Sequence, residues 1–395
     1  MFEKLNAQPA DSLLALIKAF QADPRSDKVD LGVGVYRDEN GHTPVMRAVK
    51  LAETHLLETQ DSKRYLGPEG DLTFVDLLKP IIFGPDFDQT RVVGIQTPGG
   101  SGALRLGAEL IASASTDAKI WLGTPSWPNH APIFQSARLA VKGYRFVDLA
   151  KQQIEFDRVL DALRAASAGD IILLHGCCHN PTGLDFDRAQ WEHIAALLTE
   201  RKLIPFIDLA YQGLGDGLEQ DAEATRLILD SVDEALVAYS CDKNFGLYRE
   251  RVGALYLVSR DPEQLKVADG NMAALARVNW SMPPDHGAAI VRVILQSAEL
   301  TEIWRQELLQ MCARINGNRT ALASAHPELE FIARQRGLFS NLSMSKDTAV
   351  ALRNKHGIYM ADSGRMNLAG MQPADAKAIV KALVAEGTIG SRTAA

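Results

Sequence analysis

The chain has 395 residues, more than one ordinary hydrophobic core organises, so two domains or one large α/β unit is expected. A hydrophobic share of 46% against 23% charged excludes a disordered chain, and a net charge of −7 disfavours nucleic acid and anionic membrane as partners. No uninterrupted apolar run approaches the length of a membrane span. Met1 to Asn6 has no basic segment leading into an apolar one, so no signal peptide is expected. Four cysteines do not make a disulfide framework in so long a chain, and a reducing cytoplasm is the expected location.

In chain order, residues 1–11 carry little periodicity and are expected to form an arm. A short helix opens at Asp11-Ser12-Leu13, with the aspartate or serine as cap. Val29 to Tyr36 is an extended run punctuated by Gly32 and Gly34, a pattern that suggests close backbone approach to a ligand or another chain. A helix with proline at its start fits Pro44 to Glu58, and Lys63 to Gly70 is turn-rich. Apolar runs at Val92–Ile95, Ile120–Leu122, Ile171–Leu174, Ile204–Ile207 and Leu236–Tyr239 then interleave with helical stretches such as Asp187–Glu200. That alternation predicts an α/β domain with a mostly parallel sheet covered by helices, and ligands at the carboxyl ends of its strands. Ser101, Trp127, Asn180, Asp208 and Lys243 are each expected just after a strand. Helices dominate from about 261 to 325, and a smaller α/β domain closes the chain. The predicted layout is an arm at 1–11, a small domain from 12–43 and 311–395, and a large domain at 44–310.

The chemistry centres on the stretch Ser240 to Gly253, between two apolar runs. A buried lysine there, Lys243, loses affinity for its proton and becomes an imine-forming nucleophile. Ser240 and Arg251 are the donors a phosphate dianion needs. Together they suggest a Schiff base to a phosphorylated aldehyde, which means pyridoxal phosphate. Thr97 to Arg105 links a strand to a helix through Gly99, Gly100, Ser101 and Gly102, a second anion site; Arg105 in the third glycine position breaks the dinucleotide fingerprint. His175-Gly176-Cys177-Cys178-His179 carries soft-metal ligands, but adjacent cysteines converge poorly on one ion, and no metal is expected. From the residues alone, Trp127 fits a core position as well as a stacking one, and Asp208 fits a cap or a metal ligand.

The Ser240–Gly253 stretch resembles the cofactor-lysine signature of the fold-type I, class I aminotransferases, the aspartate and aromatic amino acid enzymes, and the likeness covers nearly the whole chain. The resemblance implies pyridoxal 5′-phosphate as cofactor, with Gly100, Ser101, Ser240 and Arg251 on its phosphate and Trp127 stacked on its ring. Asp208 would pair with the ring nitrogen, backed by His130, while Asn180 and Tyr211 would donate to the phenolic oxygen. Lys243, Asp208 and Tyr211 would be catalytic. Substrate would meet Gly34, Trp127, Asn180, Arg365 at the α-carboxylate, and Arg277 at a side-chain carboxylate. Tyr65 and Arg277 would act across a homodimer with shared active sites. The implied reaction is ping-pong transamination between aromatic amino acids, with aspartate and glutamate, and 2-oxo acids.

Asp242 departs from the serine usual before the lysine, and its side chain is expected to turn away or meet a cation. Met282 and Ser101 lean toward aromatic substrates, whereas Val35 and Thr43 are of the aspartate type. An aspartate-specific transaminase is the alternative. A lyase or decarboxylase on the same fold, or a silent binding protein, would be told apart by products and by the intact lysine set.

Overall fold

A computed structural model describes residues 1–7 and 12–390; Asp11, one of the two expected caps, and residues 8–10 of the expected arm lie outside what it describes, and the helix there runs Ser12–Ala22. The apolar runs form a seven-stranded sheet in the order Val92–Pro98, Val252–Ser259, Glu234–Ser240, Ile204–Leu209, Ile171–His175, Lys119–Thr124, Ala140–Arg145. All run in one direction except Val252–Ser259, which pairs antiparallel with both neighbours. Helices Gly99–Ala114 and Pro262–Asn279 cover one face; Leu104, Phe134, Phe206, Ala238, Leu255 and Met272 form the core there. Strands this apolar need cover on both faces, which is why they carry almost no alternation.

The chain divides into two units. One comprises Pro44–Asn316 with Gln335–Gly337 and holds the sheet. The other comprises Met1–Thr43, Gly317–Arg334 and Leu338–Ala395. Within it, Val29–Asp30 pairs in parallel with Ile358–Tyr359, and Phe339–Asn341 pairs antiparallel with Arg365–Asn367. Its own core gathers Leu31, Leu322, Leu329, Met366, Leu368 and Ile379.

The helix expected from Asp187 runs Arg188–Arg201, opened by a reciprocal pair of bonds between Asp187 and Gln190. The helix expected from Pro44 begins only at Arg47, because Met46 stays extended at ψ 144°. Its first N–H groups, at Arg47 and Ala48, donate to the Glu307 carboxylate at 2.6 and 3.0 Å, so the cap comes from far along the chain.

Candidate active site

Asp208 is the last residue but one of the strand Ile204–Leu209, inside the ladder and not after it, and sits opposite His175 on the neighbouring strand. Its Oδ2 accepts from His130 Nε2 at 2.9 Å. An ionised carboxylate can only accept, so this nitrogen carries the proton. His130 Nδ1 then faces Ser126 Oγ at 2.8 Å, and the same hydroxyl lies 3.2 Å from His175 Nε2. Trp127 and His175 both stand edge-on to the His130 ring, at 5.2 and 5.1 Å. Burial works to raise the Asp208 pKa, but the His130 hydrogen bond, with smaller charge contributions behind it, outweighs it, and the carboxyl lies below its usual range. The result is an anion fixed in place by a buried ring.

Lys243 lies in the loop between Glu234–Ser240 and Val252–Ser259. Trp304 holds that loop twice: its Nε1 donates to Asn244 O at 2.8 Å, and Phe245 stacks on its ring at 4.3 Å. Burial lowers the Lys243 pKa, partly offset by Asp242 and Asp208. Its Nζ stands 5.2 Å from the centre of the Tyr211 ring. Tyr211 Oη accepts from Asn180 Nδ2 at 3.3 Å, while Asn180 Oδ1 is buried without a hydrogen-bond partner among the described residues. A buried polar atom of this kind is costly unless something else meets it.

Helix Gly99–Ala114 starts after Pro98, which offers no side-chain cap, so its first-turn N–H groups form an anion-binding end. A Cβ on Gly99, at φ 68°, would fall 2.7 Å from Arg251 Nη2, and one on Gly100 would fall 3.1 Å from Ser240 Cβ. Only glycine lets the serine and arginine approach this closely. Arg251 forms an ion pair with Asp242, which settles the orientation left open in the sequence.

In the other unit, Arg365 Nη2 donates to Gly32 O at 3.1 Å, and its guanidinium lies 4.5 Å over the Phe339 ring. A Cβ on Gly34 would meet that same ring at 2.7 Å. Tyr65 and Arg277 do not join either group. Tyr65 is 91% exposed, and Arg277 lies on the surface with Nη1 bonded to Ser281 Oγ at 2.8 Å. Their segments adjoin, since Leu66 N–H points at Met282 Sδ at 3.0 Å.

Two other features are not this site. A cavity of about 690 Å³ opens at the amino ends of the parallel strands, lined by Leu110, Ile171, Ile204, Leu236 and Val267; the lysine and its partners lie at the carboxyl ends. Cys177, Cys178 and Asp221 bring ligand atoms within 4.8 Å of one another. The Asp221 carboxylate already accepts from the N–H groups of Gly213, Gly215 and Asp216. Although its hydrogen bond with Cys178 acts the other way, burial pushes the Cys177 thiol up to about 12, so the cluster packs as neutral thiols.

The parts played by Ser126, His175 and Phe339 were not drawn from the sequence. Ser126 and His130 at spacing i, i+4 were the available signal for the first; Phe339 had none, being joined to Arg365 only by strand pairing.

Residues 26–383 match the family described as aminotransferase class I and II. The chain belongs to that family. It is 52% identical over 383 residues to the tyrosine aminotransferase of Rhizobium meliloti (strain 1021), covering 96% of this chain and 98% of that one. It is 43% identical to the aspartate aminotransferase of Escherichia coli (strain K12), over 98% and 100% of the two chains. Among solved structures, an aromatic-amino-acid aminotransferase from Burkholderia pseudomallei covalently bound to pyridoxal phosphate superposes with a TM-score of 0.94, at 36% identity over 98% and 99% of the chains. The fold is that of fold-type I aminotransferases, and the family depends on pyridoxal phosphate. The residues present fit that cofactor: an amine of lowered pKa, a fixed carboxylate, an uncapped helix start beside serine and arginine, and a hydrogen-bonded Asn180–Tyr211 pair beside the lysine.

Proposed function

We propose that this aminotransferase moves amino groups between aromatic L-amino acids, with L-aspartate and L-glutamate, and 2-oxo acids such as 2-oxoglutarate, by ping-pong turnover in the cytoplasm. The observation that carries the site is the pairing of a Lys243 of lowered pKa with an ionised, histidine-held Asp208. Ser101, Ser240, Arg251 and the Gly100 N–H would hold the cofactor phosphate, Trp127 its ring face, and Asn180 and Tyr211 its phenolic oxygen. When bound, pyridoxal phosphate supplies an aldehyde carbon and an electron-withdrawing ring. Asp208 holds the ring nitrogen's proton by remaining an anion. Lys243 Nζ, its affinity for a proton lowered by burial, takes and returns the substrate's α-proton. Arg365, levelled by Phe339 beneath it, is the proposed anchor for the α-carboxylate.

Aromatic preference is supported by the adaptable Met282 and by the likeness to the tyrosine enzyme. Arg277, bonded only lightly to Ser281 at the surface, can meet an acidic side chain or swing aside for a ring. The domain division proposed with this reading, a small domain of 12–43 and 311–395 and a large one of 44–310, differs from the two compact units at 311–316 and 335–337, which group with the large one. The assembly is a homodimer with Tyr65 and Arg277 reaching the neighbouring site; the exposure of Tyr65 at 91% and Val278 at 86% favours a covered surface there.

Donor preference with 2-oxoglutarate as acceptor tests the specificity. Arg277→Leu is expected to lower kcat/KM for aspartate about 30-fold, the scale of a truncated charge pair, and to leave phenylalanine nearly unchanged. Equal losses would make Arg277 structural. Wild type that uses aspartate and refuses phenylalanine would favour the aspartate-specific reading, which the likeness to the aspartate enzyme keeps in play.

A further inference from the structure

The guanidinium of the proposed phosphate cup is already engaged. Arg251 Nη1 pairs with Asp242 Oδ2 and donates to Tyr248 O at 3.1 Å. Asp242 is 3% exposed; Oδ1 accepts from Val252 N–H at 3.3 Å, and its own N–H donates to Ser240 Oγ at 3.3 Å. A Cβ on Gly99 would fall 3.2 Å from Asp242 Oδ2, so the carboxylate, like Arg251, abuts the start of the anion-binding helix. A buried anion in a cup made for anions opposes what the helix end, serine and arginine are arranged to do.

We infer that Asp242 is a resident counter-anion of Arg251, which competes with the cofactor phosphate for that guanidinium and loosens cofactor binding in this chain. With the cofactor absent, the pair keeps Arg251 neutralised and oriented, aided by the Tyr248 carbonyl. On cofactor binding, the phosphate shares Arg251 with the carboxylate and meets a like charge beside it. Asp242 also raises the proton affinity of Lys243, an effect that pyridoxal and its phosphate feel alike; the competition for Arg251 is felt by the phosphate ester alone, because there the carboxylate meets Arg251 and the Val252 N–H. The inference rests on the proposed cofactor assignment.

The experiment compares wild type, Asp242→Ser and the isosteric Asp242→Asn, each full-length and freed of cofactor, titrated with pyridoxal 5′-phosphate and with pyridoxal, which lacks the phosphate. Both variants are expected to tighten pyridoxal 5′-phosphate binding by about tenfold or more, the effect of one like charge removed from near the phosphate. Pyridoxal shares only the effect of the lost charge on Lys243, so the gain of the phosphate ester is expected to exceed that of pyridoxal severalfold. Inorganic phosphate, used as competitor, is expected to gain strength in the same proportion. Unchanged affinities, or equal gains for pyridoxal and its phosphate, would overturn the competition. The cofactor assignment fails separately: if borohydride fixes no pyridoxyl group on wild-type Lys243, that assignment falls and the inference with it, whereas a fixed group with unaltered affinities in the variants removes only the inference.

Discussion

Lys243 stands beside opposing influences: burial pulls its pKa down while two carboxylates pull it up, and burial dominates. Borohydride reduction of the holoenzyme followed by peptide mapping is expected to tag Lys243 and no other lysine. Asp208→Ala is expected to retain bound cofactor through the phosphate contacts yet slow α-proton removal by about 3 kcal/mol or more, the scale of other electrostatic deletions; near-normal half-reaction rates would show that Asp208 has another role. His175 brings a pH dependence of stability. Burial, followed by the neighbouring His130, pushes its pKa down to about 3. An unfolded chain takes up that proton near pH 6.5, so between about 6.5 and 3 the unfolded state binds more protons. The stabilisation is therefore full above about pH 6.5 and falls with decreasing pH, by at most about 1.4 kcal/mol per unit. His175 keeps some surface exposure, which makes that slope an upper bound. Urea unfolding of His175→Asn is expected to show a flatter loss of stability between about pH 6 and pH 4 than wild type. These neighbourhoods were partly legible: Asp208, Asn180 and Lys243 follow from apolar runs that end in polar residues. The Asp242–Arg251 pair was not, because a nine-residue loop separation says nothing of which way either side chain turns.

Helix starts divide by where their caps come from. Asp187 and Gln190 sit three residues apart and satisfy each other, so the start of Arg188–Arg201 could be read from the sequence. The helix Arg47–Thr59 takes its acceptor from Glu307, 260 residues away, and Pro44 drew the expected boundary too early. Glu307→Ala is expected to cost about 1 kcal/mol of stability, the usual worth of a lost helix cap, measured by urea unfolding. A change within about 0.2 kcal/mol would mean that water serves those N–H groups equally well. The parallel strands were legible because uniform apolarity needs no partner to be recognised. The short pairings Val29–Asp30 with Ile358–Tyr359 and Phe339–Asn341 with Arg365–Asn367 were not, since two or three residues carry no period.

At the scale of the whole molecule, no helix among the described residues is long and apolar enough to cross a membrane. The exposed Tyr65 and Arg277 make the proposed dimer testable by mixing two variants, each lesioned at one of the proposed site residues. A heterodimer of Tyr65→Ala and Lys243→Ala subunits is expected to have one site with both lesions and one with neither, so activity should return on subunit exchange. No rescue after confirmed exchange would count against shared sites. The composition and strand pattern indicated an α/β chain of two units, but the segment Gln335–Gly337 belongs with the large unit, through contacts such as Arg336 N–H to Gly183 O at 2.8 Å, which no local pattern announces. The reversed strand Val252–Ser259 has a wider consequence. Because the chain doubles straight back after Ser240, Asp242, Lys243 and Arg251 stay at the carboxyl end of the parallel strands; a parallel return would put the arginine roughly 25 Å away, the length of the strand at about 3.3 Å per residue. The proposed nucleophile, cation and counter-anion thus travel as one hairpin. On that reading, evolution or an engineer can retune how firmly the cofactor is held by editing that hairpin alone, with every strand of the sheet left in register.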